Sequence, residues 1–301
     1  PYAYARMKFQ NTEIETILAN HTETTEEEQK GGCDVVYALF QESRESPDPN
    51  WSRGERWLQA AIQLCQPAPA MAHVELLLPP VPDTEGGRTQ FATYLGRRAN
   101  WQTNQLSNYA YYLVDHAVQW RAVPIFAPRA AERVRTEADS EVGVEYSLMR
   151  YVTSTRAFRA LAWLLPSSQR TPAHCATLTA RILQNSLEPT CAPEQAPAWY
   201  GPSSLYTELC NMAAFRSQAF VGESSEGMSE SATHSVETLL RAPMTLETVQ
   251  TLGDAACTEA IHALTMKTCS ALQAGDDTAT RVAQKQLATA LLRWVILREV
   301  S

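Results

Sequence analysis

The chain has 301 residues, room for one large domain or two modest ones, and 45% of them are apolar, enough to close a core. Against 25 basic side chains stand 33 acidic ones, a formal net charge of -8 with no basic stripe, which argues against nucleic acid as a partner. Arg, Gln or Pro breaks each apolar run before it reaches the roughly 18 residues a membrane helix needs, so no membrane span is expected.

The seven cysteines show no Cys-x-x-Cys pair and no regular spacing, so they describe neither a disulfide framework nor a zinc site. No metal and no other cofactor is expected. An odd count leaves at least one thiol free, and with no signal peptide visible the reading favours a reducing compartment, cytoplasmic or virion.

In chain order, residues 1–32 read as an N-terminal arm: an aromatic, basic start, then an acidic Thr/Glu tract that stays solvated, then the break at Gly31-Gly32. Residues 33–41 are apolar on both alternating faces, which predicts a central strand. Leu58, Ala61, Ile62 and Cys65 recur at helical spacing over 55–66. Pro67-Ala68-Pro69 then delivers the chain to a second strand over 71–78, and Pro and Gly residues turn it into a third over 89–95, antiparallel to the second. Further extended segments are predicted at 109–114 and 120–126 around His116, followed by helices over 130–138 and 146–159.

The second half is helical. A Pro/Ala loop at 188–202 precedes a helix over 203–220, and a Gly/Ser/Glu composition marks 221–243 as a linker. Thr245 then caps a long helix striped by Leu246, Val249, Ala256, Ala260 and Leu264. Gly275-Asp276-Asp277 turns the chain, and Val282, Leu287, Leu291, Trp294 and Val295 line a last helix. Residues 244–301 are thus an antiparallel helical hairpin that must dock on the 33–220 domain or on another chain.

Cys175 is the candidate nucleophile. Thr171 as cap and Pro172 at the first helical position would put Cys175 one turn inside a helix, where outward N–H groups and the helix dipole favour a thiolate. The alternative is that a cysteine on a helix is a small buried hydrophobe. His174 is adjacent, but neighbours on a helix point about 100° apart, so the base is sought elsewhere. His73, early in the apolar strand, has a fixed direction and is the preferred base, with a satisfied core histidine as its alternative reading. Gln90, on the next strand, is the candidate to orient the imidazole.

The order Asp34-Val35-Val36-Tyr37, His73-Val74-Glu75-Leu76, Tyr146-Ser147-Leu148 and His174-Cys175-Ala176-Thr177-Leu178 resembles the circularly permuted branch of papain-like, NlpC-type thiol hydrolases, which has many members in large DNA viruses. The resemblance covers about 33–187. Ala176 stands where that pattern carries a small hydroxyl residue. It implies an α+β fold: a permuted papain-like core with a mostly antiparallel sheet and flanking helices, followed by the C-terminal helical hairpin. It also implies a hydrolase or acyltransferase in which Cys175 attacks an amide or ester carbonyl, His73 relays the proton and Gln90 holds the ring. Two other readings stay open. One is a non-catalytic structural subunit of a larger assembly such as a virion, binding protein partners through the hairpin and loops; the other is a plain helical adaptor without the sheet.

Overall fold

The computed structural model describes residues 33–43, 69–78, 90–95, 98–102, 119–147, 173–221, 230–241 and 246–300, with isolated positions at 53, 60, 151 and 154. The arm at 1–32, the strand expected at 109–114, His116 and nearly all of the helix expected at 55–66 lie outside these residues.

Five strands form one antiparallel sheet: β1 (Cys33–Glu42), β2 (Met71–Leu78), β3 (Gln90–Leu95), β4 (Arg98–Gln102) and β5 (Trp120–Pro128), in the order β4-β3-β2-β1-β5. Six helices follow the sheet among the described residues: α1 (Ala130–Ser140), α2 (Cys175–Ser186), α3 (Pro202–Val221), α4 (Glu230–Arg241), α5 (Leu246–Ala274) and α6 (Asp277–Val300). The chain is therefore α+β, and the adaptor reading without paired strands is set aside. Among the described residues no helix is long and apolar enough to cross a membrane.

The double-sided apolar pattern of β1 has a direct cause, because helices cover both faces of the sheet. On one face Val36, Ala38 and Phe40 meet Val74, Leu76, Val123 and Ile125 under α1, α2 and α3. On the other, Tyr37, Leu39, Leu77, Trp120 and Ala122 meet Leu264, Leu287, Leu291 and Trp294 of the C-terminal helices. Leu39 and Phe40, adjacent on β1 and fully buried in opposite cores, each stabilise the fold by about 1.5–3 kcal/mol. Pro124 is accommodated because β5 is an edge strand, where a missing ladder N–H costs least.

The structure differs from the sequence reading at three places. Residues 230–241, inside the stretch read as a linker, form α4, which packs Leu239 into the second core. The helix expected from 146 starts later, because Tyr146 forms a parallel bridge with Ala173. The long C-terminal helix contains a non-helical residue, Gly253, at φ 63 and ψ 164.

A polar hub closes one end of the sheet. Arg121 donates from Nε to Glu42 Oε1 at 2.5 Å and from a terminal nitrogen to the Tyr206 hydroxyl at 3.0 Å. Tyr206 in turn donates to Gln284 Oε1 at 2.6 Å, and Gln284 Nε2 donates to Cys210 Sγ at 3.3 Å. Arg281 and Lys285 of α6 reach the same Glu42 at 3.4 and 3.3 Å. One carboxylate thus ties β1 and β5 to α6 directly, and to α3 through Arg121.

Candidate active site

Cys175 is the first residue of α2, and the cap is His174 in extended conformation, φ -109 and ψ 174. The expected start at Thr171 is displaced because Ala173 is held as a strand residue. Its N–H donates to the Glu145 carbonyl and its own carbonyl accepts from Ser147 N–H, both at 2.9 Å. The helix starts only after this clamp, and Leu178 N–H closes the first turn on the His174 carbonyl at 2.9 Å. Cys175 therefore belongs to the first turn, whose N–H groups have no intrahelical acceptor and where the dipole favours an anion.

His73 is the third residue of β2, opposite Gln41 of β1. Its Nε2 lies 3.2 Å from Glu75 Oε1. Two residues apart on a strand, the two side chains share a face. The Trp120 ring, also opposite Gln41, stands edge-on to the imidazole with centroids 6.4 Å apart. Among the described residues the β2–β3 ladder takes in only Leu76–Leu78 of β2, so the half of β2 that carries His73 lies beyond it.

Cys175 and His73 meet within hydrogen-bonding reach. Burial pushes the thiol up, but the His73 charge, the His174 ring and hydrogen bonding outweigh it and hold Cys175 at about 5, against an ordinary 9.0. Burial pulls the imidazole down, but the Cys175 charge and hydrogen bond, then Glu75, raise His73 from 6.5 to about 10. At neutral pH the pair is a thiolate and an imidazolium.

Gln90 is not brought to this pair. It is opposite Leu78, five residues along β2 from His73, a separation of about 16 Å at ~3.3 Å per residue. A β3 residue beside the imidazole would have to come from the opposite end of that strand. The group that does contact the ring is Glu75, 2% exposed. The signal for it was in the sequence, since His-x-Glu on a strand puts both side chains on one face without any assumption about register.

His174 also joins the site. As a cap in extended conformation it is not bound by the helical angle between neighbours, and its ring lies beside the thiol. Tyr151 links the two halves: its hydroxyl donates to the Ala72 carbonyl at 3.3 Å, while its ring packs against His174 with centroids 5.4 Å apart. Burial, then the charges of Cys175 and Tyr151, hold the Tyr146 phenol above its ordinary value. Among the described residues no group of three His, Cys, Asp or Glu could hold a metal ion. What the arrangement can do is nucleophilic acyl chemistry: a thiolate, a proton donor beside it, and a buried carboxylate on the donor. Neither the family models, the curated proteins nor the solved structures yield a match to this chain.

Proposed function

We propose that the chain is a cysteine-dependent hydrolase or acyltransferase built on a permuted papain-like core, acting on an amide or ester through an acyl-thioester. One observation carries the reading: the Cys175 thiol, at the start of α2, lies within hydrogen-bonding reach of a His73 ring whose Nε2 is 3.2 Å from the buried Glu75 carboxylate. The order of the elements, with the histidine strand before the cysteine helix, supports the permuted arrangement.

In this mechanism the Cys175 thiolate adds to the carbonyl carbon, and the carbonyl electron pair moves to oxygen. Collapse of the tetrahedral intermediate breaks the bond to the leaving group, which takes the His73 proton. Glu75 fixes the imidazole and stabilises its charged form, the task first given to Gln90. Water as second substrate then gives hydrolysis, and an amine or lipid hydroxyl gives transfer, with neutral His73 removing the acceptor's proton.

A second reading has its own observation. Cys175 is only 3% exposed, as it would be in a structural subunit, for instance of a virion, that keeps the core as a scaffold and binds protein partners through α5, α6 and loops. Alkylation by iodoacetamide from pH 5 to 9, mapped cysteine by cysteine in the parent and in His73→Ala, separates the two. Fast modification of Cys175 near pH 6 that His73→Ala removes is the enzyme result. Protection of Cys175 throughout, or an ordinary thiol profile in both proteins, sinks the catalytic reading.

A further inference from the structure

The side chain that the two-residue mechanism does not use is His174. It is fully buried, and neither Nδ1 nor Nε2 has a hydrogen-bond partner. A buried polar atom left unpaired costs roughly 1–3 kcal/mol, and each such group in a folded protein calls for an explanation. A neutral imidazole has one N–H and one lone pair, so this ring has both capacities unspent. Its neighbours define where they are spent. The Tyr151 ring packs against it with centroids 5.4 Å apart, and the Cys175 thiol lies beside it.

Resting on the acyl-transfer reading above, we propose that His174 is a catalytic residue: its ring N–H donates to the carbonyl oxygen of the acyl substrate as that oxygen becomes an oxyanion. The charge balance of the addition step carries the argument. As the Sγ–C bond forms, the sulfur loses its negative charge and becomes a thioether-like, weak acceptor, while the carbonyl electron pair becomes a full charge on oxygen. A donor that sits beside the thiolate at rest is within one bond rearrangement of the new anion. No proton leaves His174; its N–H, without an acceptor at rest, takes the new oxyanion. The Cys175 N–H at the start of α2 is the natural second donor, so the two form an oxyanion site from adjacent residues. The extended cap conformation makes this possible, because it frees the His174 ring from the helical direction.

The test compares two electrophiles on the same thiol. Iodoacetamide reacts by displacement at a saturated carbon and generates no oxyanion, whereas p-nitrophenyl acetate must pass through one. Rates at Cys175 are measured for the parent, His174→Phe and His174→Gln, with Cys175→Ser as background. The ratio of acylation to alkylation cancels differences in thiolate fraction and access. It is expected to fall on the order of 100-fold in His174→Phe, the usual effect of losing one oxyanion donor, and to recover in large part in His174→Gln, which keeps an N–H donor. The Tm of His174→Phe is expected to equal or exceed the parent's, since an apolar ring replaces an unpaired polar one. A ratio unchanged within twofold overturns the proposal, and so does a Tm well below the parent's, which assigns the ring to the core. If Cys175 of the parent reacts with neither electrophile, the acyl-transfer reading fails and this one with it; a reactive parent with an unchanged ratio removes His174 alone.

Discussion

At the scale of residues, the size of the His73 effect follows from two opposing terms. With the thiol at about 5 instead of 9.0, nearly all of Cys175 is thiolate at pH 6, against about one part in a thousand for an ordinary thiol. A thiolate of low pKa is also a poorer nucleophile, and four units at a Brønsted slope of ~0.45 take back a factor of about 60. The net expectation is alkylation of Cys175 about tenfold faster in the parent than in His73→Ala at pH 6, with the advantage reversed by pH 9. Glu75→Gln retains the imidazole but removes the charge that helps raise it, so its alkylation midpoint should lie above the parent's and below that of His73→Ala. A midpoint identical to the parent's would remove Glu75 from the site.

The same pair sets a pH dependence of stability. His73 is raised from 6.5 to about 10, so its contribution is complete below pH 6.5 and is lost as pH rises through 10. Cys175 is lowered from 9.0 to about 5, so its contribution is complete above pH 9 and is lost as pH falls through 5. Together they rise from pH 5 to 6.5, hold level to about 9 and fall towards 10. In urea unfolding across this range, the double variant His73→Ala, Cys175→Ala should lack both flanks. Flanks of equal height in the double variant would mean that the ion pair is not the cause.

At the scale of elements, what could be read in the sequence follows from whether a pattern is local. β1 and β2 were legible as short apolar runs and β3 from the turn residues before it, and so was the α5–α6 turn at Gly275-Asp276-Asp277. Register was not, because a six-residue strand such as β3 carries nothing that fixes its offset, and Gln90 was misjudged for that reason. The start of α2 was misjudged because a long-range clamp on Ala173 overrides the local Thr-Pro signal. Composition also misread α4: Glu237 and Arg241 face water, but Ala232, Ser235 and Leu239 are buried and form the packed side. The local turn gives its own prediction. Gly275 sits at φ 68, and Asp276 Oδ1 accepts from the N–H groups of Thr278 and Ala279 at 2.9 Å each. Asp276→Ala removes that cap and should cost about 1 kcal/mol in denaturant unfolding, while Asp276→Asn, which retains the acceptor, should cost much less. Equal losses would indicate that the charge, not the cap, matters.

At the scale of the whole molecule, the C-terminal helices are one of two layers that bury the sheet, and Glu42 is where that layer is pinned by charge. The carboxylate is 12% exposed and meets Arg121, Arg281 and Lys285. Burial alone would raise its pKa, but the Arg121 charge and hydrogen bond, then Lys285 and Arg281, outweigh burial and hold it below its ordinary 4.5. Its contribution to stability is therefore complete above pH 4.5 and is lost as pH falls through the lowered value. Glu42→Gln leaves the Arg121 guanidinium, 9% exposed, without its carboxylate, and removing one partner of a buried pair costs about 3 kcal/mol or more. The variant should be destabilised by about that amount at pH 7. Below pH 4 the gap should narrow, because the parent protonates the same group that the variant has already neutralised. A gap independent of pH would assign the loss to altered packing at the sheet end, whereas convergence on acidification identifies the carboxylate charge as what holds α6 against the end of β1 and β5.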